Sequence, residues 1–285
     1  MMLFHKATKT LYNWLIQQPN VKEESITDWL LFELSKTCAQ IKYYAFSRHQ
    51  EAVNGADWEW WVLTTYHAYR FRVQAKKAKP KVDNYASIGY SNANGLQIDL
   101  FIESAKKDSA FPLYMFYSSA EYDTYKAKNC FPVPELIEMI EWCDSCDNGG
   151  FLSPAHMVYD VVFANPKTFI PAESLLNMSL KLSTLDIVFS KTTPKEIDAE
   201  VERRLNELNK YYLHQVQYKK DSFSGNYGFR YEYEQNSNRS WNGVVPNWLL
   251  YLAGNRQNQL PEWFESEYGN QLPSTLGVAV LDLRA

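Results

Sequence analysis

Two short runs of alternating character, Asp57–Thr64 (DWEWWVLT) and Tyr69–Ala75 (YRFRVQA), are separated by a link around Tyr66 and His67 and constrain the fold more than any other stretch. A link this short predicts an antiparallel hairpin. Strand side chains alternate with period two, so Asp57 and Glu59 share one face of the first strand, and Gln74 and Lys76 share one face of the second. A turn centred between Tyr66 and His67 sets Asp57 opposite Lys76 and Glu59 opposite Gln74. A slip of two residues keeps the four polar groups together, whereas a slip of one separates them. Carboxylate and amide oxygens converging beside a lysine make a hard-oxygen site suited to Mg²⁺ or Mn²⁺, with Asp57, Gln74 and Glu59 as the expected ligands. Lys76 would stabilise charge developing on a phosphorane.

The elements around this hairpin follow from capping and periodicity. A helix is expected from Ser25 to Cys38, with Ser25 as N-cap, Asp28 three residues on, and Glu24 at its entrance. Glu33 falls inside the apolar stripe of that helix, either as a second acid for the site or as a bonded core carboxylate. IKYYAFS reads as a strand, QIDLFIESAKK as a helix and PLYMFYSS as a buried strand. The order to residue 120 is therefore helix, three strands, helix, strand. Beyond it, helices are expected near PELIEMIEWC, from Pro194 to about Gln217 and near PNWLLYLAG, with a last strand at GVAVLDL. Two regions are expected, a core over 1–120 and a mainly helical extension over 121–285 packed on it.

A glutamate opening the first helix (Glu24 in EESITDWLL), an aspartate after a small-residue turn (Asp57 in GADWEWW) and an xXK element on the next strand (Gln74 and Lys76 in VQAKK) resemble the PD-(D/E)XK nuclease superfamily. The resemblance spans about residues 20 to 120. It implies an α/β restriction-endonuclease-like core of order αβββαβ, with a central mixed sheet flanked by helices. It also implies metal-dependent hydrolysis of a DNA phosphodiester: Asp57 as metal ligand, Gln74 in the place of the usual acidic ligand, Lys76 as the motif lysine and Glu24 as the helix acid. Gln74 departs from the usual Glu or Asp and leaves the site one negative charge short. A restriction or phage-defence endonuclease is the expectation by analogy with that family. The alternative is a catalytically silent nuclease-like fold that binds nucleic acid or a partner protein.

The chain's net charge is -4, so any affinity for DNA must be local. Arg70, Arg72, Lys76, Lys77, Lys79 and Lys81 cluster within twelve residues, where a phosphate backbone would pass, and Arg48 and His49 lie in the loop before Asp57. DNA is the expected partner, with a homodimer or partner protein left open. No apolar run approaches a membrane span and no signal-peptide core forms near Lys6 and Lys9, which points to the cytoplasm. Four cysteines are too few for a secreted disulfide framework. Cys143 and Cys146 form a CxxC with Cys130 upstream and His156 downstream, but the spacing matches no common zinc module, and zinc is not expected there.

Overall fold

The computed structural model describes residues 2–46, 56–119, 149–205 and 245–284, less the loop positions 66, 80–83, 86–87, 93–94, 109, 165–169, 177–178 and 256–258. Its centre is a mixed seven-stranded sheet flanked by helices, an α/β architecture. The strands are β1 (Ile41–Ala45), β2 (Trp58–Leu63), β3 (Ala68–Lys77), β4 (Phe111–Tyr117), β5 (Gly150–Pro154), β6 (Leu180–Lys181) and β7 (Gly277–Asp282). They lie side by side in the order β1, β7, β2, β3, β4, β5, β6. The β2–β3 and β4–β5 pairs are antiparallel, whereas β3–β4 and β7–β2 run parallel. Three of the seven strands come from beyond residue 120, so the extension builds the sheet as well as covering it.

Trp58, Trp60, Tyr69, Phe71, Val73, Leu113 and Met115 point to one face. They pack against α1 (Leu3–Gln17) and α2 (Glu23–Thr37). No element was expected over α1, yet Leu3, Phe4, Ala7, Leu11 and Leu15 form its buried stripe at helical spacing. On the opposite face, Tyr114, Phe116 and Phe151 meet α3 (Gln97–Lys107) and α4 (Ala155–Ala164). Next to them Trp61, Val278 and Val280 meet α6 (Asn247–Gly254) and α7 (Glu262–Tyr268). On the first face, α5, helical over 194–205, adds Ile197, Val201 and Leu205 to the core under α1 and α2, and at its start Thr193 and Glu196 exchange hydrogen bonds in a capping box: the Glu196 N–H donates to Thr193 Oγ1 at 3.3 Å, and the Thr193 N–H to Glu196 Oε2 at 3.1 Å.

The last strand inserts one position in from an edge of the sheet. β7 separates β1 from β2, pairing antiparallel with one and parallel with the other. Gly277 permits this, because a Cβ there would overlap the Trp58 ring and the Tyr44 carbonyl. Two boundaries also differ from expectation. α2 begins at Glu23, with Lys22 rather than Ser25 in the capping position. Glu23 and Glu24 therefore sit in its first turn, where the helix dipole favours carboxylates. The hairpin pairs Trp58 with Val73 and Glu59 with Arg72, two residues away from the expected register. Its turn closes early: the Thr64 N–H donates to the His67 carbonyl at 2.8 Å, and the His67 N–H returns to Thr64 Oγ1 at 3.0 Å. Parity is kept, so Asp57, Glu59, Gln74 and Lys76 remain on one face. The PELIEMIEWC segment and the far end of the helix expected to reach Gln217 lie outside the described residues.

Candidate functional site

Asp57 is fixed at the mouth of the hairpin by three hydrogen bonds. Its N–H donates to the Val73 carbonyl at 3.0 Å, its own carbonyl accepts from the Leu276 N–H at 2.8 Å, and its Oδ2 accepts from the Ala75 N–H at 2.8 Å. Oδ1 makes no hydrogen bond among the described residues. The antiparallel ladder carries Asp57 beside Gln74, whose side chain is 2% exposed and whose Oε1 is buried without a hydrogen-bond partner among the described residues. Lys76, one step further along the same face, is also buried, and its ammonium has no hydrogen bond or ion pair with the described residues.

The helix acid reaching this group is Glu23 rather than Glu24. Glu23 Oε2 accepts from the Lys77 N–H at 2.6 Å, and one turn on, Thr27 Oγ1 and Tyr117 Oη share a hydrogen bond of 2.9 Å that pins the start of α2 to β4. Burial pushes the Glu23 carboxyl up to about 7; Lys76 opposes the shift, and the charges of Asp57 and Glu24 add to it. The Asp57 carboxyl is likewise raised, first by burial, against the pull of Lys76 and the Ala75 N–H. Glu24 is exposed and contributes its charge to both. Glu33 is half-buried and ten residues further along α2, about 15 Å of helix rise from Glu23, too far to serve as a second acid here.

Glu59 does not join this group as a ligand. It is wholly buried and accepts from Arg70 through both oxygens, at 2.6 and 2.9 Å, and from Trp61 Nε1 at 2.9 Å. Arg72, also buried, reaches Glu59 Oε2 at 3.5 Å and Asp108 Oδ2 at 2.6 Å, and Arg70 Nη1 donates to the Asp108 carbonyl at 2.7 Å. This network ties the hairpin to the end of α3. It corrects two expectations, because Glu59 is neutralised by arginines, and Arg70 and Arg72 are turned inward to Glu59 and Asp108 instead of outward to a phosphate backbone. Lys77 donates its ammonium to the Pro19 carbonyl, and Lys79 is exposed. Arg48, His49 and Lys81 lie outside the described residues.

A second polar cluster, not expected from the sequence, joins the hairpin turn to α5. His67 Nδ1 lies 3.0 and 3.1 Å from the two Asp198 oxygens and 3.9 Å from Glu202 Oε1, and Thr64 Oγ1 donates to Asp198 Oδ1. Its ligand atoms all lie within 4.8 Å of one another. The direct contacts within it already satisfy Asp198, and we read it as a clamp between turn and helix. Cys130, Cys143 and Cys146, where zinc was not expected, lie outside the described residues. His156 is held in α4, where burial lowers its imidazole to about 4.

A family model, described as a family of unknown function (DUF6615), matches residues 1–269. The chain belongs to the DUF6615 family. No match was found for this DUF6615 chain among curated proteins or among solved structures. No helix among its described residues is long and apolar enough to cross a membrane.

Proposed function

We propose that this chain is a metal-dependent nuclease of restriction-endonuclease type, hydrolysing a phosphodiester at the Glu23–Asp57–Gln74–Lys76 group, with DNA as substrate. One observation carries the reading: two carboxyls raised by burial, a buried amide oxygen without a partner and a buried ammonium meet at one end of the β2–β3 hairpin. Desolvated carboxyls of this kind are what a cation would relieve, and the orphaned oxygen is a ligand of the hard type that Mg²⁺ and Mn²⁺ take. Asp57 through Oδ1 and Gln74 through Oε1 are the residues that would hold it. When bound, such a cation polarises a phosphoryl oxygen and lowers the pKa of a water.

The chain's own residues supply the rest. Lys76 presents a desolvated positive charge to the phosphoryl oxygens, where a low dielectric strengthens it. Glu23, poised near 7 and oriented by the Lys77 N–H, is the group suited to take a proton from the attacking water near neutral pH. Glu24 adds negative charge at the rim, and exposed Lys79 is a contact for the backbone. A defence role would follow from the family resemblance alone.

Gln74 favours a second reading, the catalytically silent fold that binds nucleic acid or protein, since a neutral amide ligates more weakly than a carboxylate. Incubating the purified chain with plasmid, single-stranded and branched DNA in Mg²⁺, Mn²⁺ and EDTA separates the two. Cleavage that requires the divalent ion and is lost in Lys76→Ala supports the enzyme. Absence of cleavage on every substrate supports the silent fold.

A further inference from the structure

The polar groups of the candidate site continue sideways across the sheet. Gln74 of β3 is the registered partner of Tyr114 in β4, and Tyr114 is the registered partner of Ser153 in β5, while Asp57 flanks Gln74 from the β2 side. Four polar side chains thus cross adjacent strands in one row, beneath a layer otherwise made of Phe101, Phe116, Phe151 and the apolar side of α3. Gln74, Tyr114 and Ser153 are each no more than 2% exposed. Two atoms in the row, Gln74 Oε1 and Tyr114 Oη, are buried with no hydrogen-bond partner among the described residues. The Tyr114 ring packs against Phe101 edge-on at 5.4 Å and is stacked on Phe116 at 5.6 Å, contacts that a phenylalanine would make equally well. Its hydroxyl is therefore surplus to packing and costly unless it acts on a neighbour.

That neighbour is Gln74. A carboxylate at this position would offer a cation either oxygen, whereas a glutamine has a wrong end: rotated by half a turn, it presents Nε2–H, which repels a cation. A group that accepts from Nε2 selects the useful rotamer, and opposed residues on adjacent strands stand close enough for their side chains to interact. We propose that Tyr114 is a positioning residue for Gln74: when Oε1 turns toward a cation at Asp57, the Tyr114 phenol oxygen accepts from Nε2 and holds that rotamer, a bond the present rotamer does not make. The inference rests on the metal-site reading above and adds a residue to it.

The test is Mn²⁺ binding to the full chain by calorimetry, in wild type, Tyr114→Phe, Gln74→Glu and the double variant, with near-ultraviolet circular dichroism to verify folding. Tyr114→Phe should weaken Mn²⁺ binding by about tenfold, the scale on which groups that orient a ligand act. In the Gln74→Glu background the same change should have no effect, because a carboxylate has no wrong end. Equal weakening in both backgrounds, or none in wild type, overturns the role for Tyr114 while leaving the metal site standing. A wild-type chain that binds no Mn²⁺, with Asp57→Asn indistinguishable from it, removes the metal-site reading and this inference together.

Discussion

Glu59 and Arg72 are registered partners in the middle of the central hairpin, and both are fully buried. Breaking a buried pair from one side leaves an uncompensated charge, at a cost of about 3–5 kcal/mol. Glu59→Gln and Arg72→Met should each lower stability on that scale in urea unfolding, with Mn²⁺ affinity of the remaining folded molecules unchanged. A loss of Mn²⁺ binding in Glu59→Gln without loss of stability would return Glu59 to the metal site.

Lys76 and Asp57 should behave in the opposite way. Lys76→Ala and Asp57→Asn are expected to reduce divalent-dependent cleavage by at least about 100-fold, the scale on which a group stabilising the transition state acts. The asparagine retains an acceptor for the Ala75 N–H, so folding should survive. Single-turnover cleavage beside a thermal melt checks both halves.

Glu23 predicts a pH signature. Its carboxyl is raised from 4.5 to about 7 in the folded chain, so between those values the folded state binds more protons than the unfolded one. Stability is therefore greatest below about pH 4.5 as far as this group is concerned, and is lost as pH rises through 7. At about 1.4 kcal/mol per pKa unit, the loss is on the order of 3–4 kcal/mol. Glu23→Gln should be more stable than wild type at pH 8 and no more stable at pH 4.5 in urea titrations. A difference independent of pH would show that Glu23 ionises normally.

The turn clamp can be measured on its own. His67 and Asp198 are 131 residues apart and in direct contact, so a double-mutant cycle of His67→Ala and Asp198→Ala should give a coupling of about 1 kcal/mol. Hydrogen exchange in α5 should rise in either single variant. Purely additive effects would mean that the helix is held by packing alone.

The hairpin was legible because alternation is a local property: the spacing of Asp57, Glu59, Gln74 and Lys76 puts them on one face in any register of the right parity. The absolute register was not, since it depended on Thr64 closing the turn with its own hydroxyl. Glu23 and Glu24 are adjacent acids at the start of a helix, and only the Lys77 N–H, a contact from β3, distinguishes them. Arg70 and Arg72 counted as basic in a list of charges, but a count does not register that Glu59 and Asp108 lie beside them. Tyr114 sat in an apolar run and read as core; its significance appears only once its strand is set beside Gln74. The expected final strand was recognisable, but its insertion between β1 and β2 links residues more than 200 positions apart.

That insertion sets an order of assembly. Until residues 277–282 have emerged from the ribosome, the outer side of β2 carries a row of unsatisfied backbone groups along the nascent β2–β3 hairpin. The first half of the chain must wait in that state, and pairing across so large a sequence separation is slow. During translation the hairpin is thus an open template for a foreign strand, and a chain cut short before Gly277 would present that template permanently, to chaperones, proteases or another truncated copy.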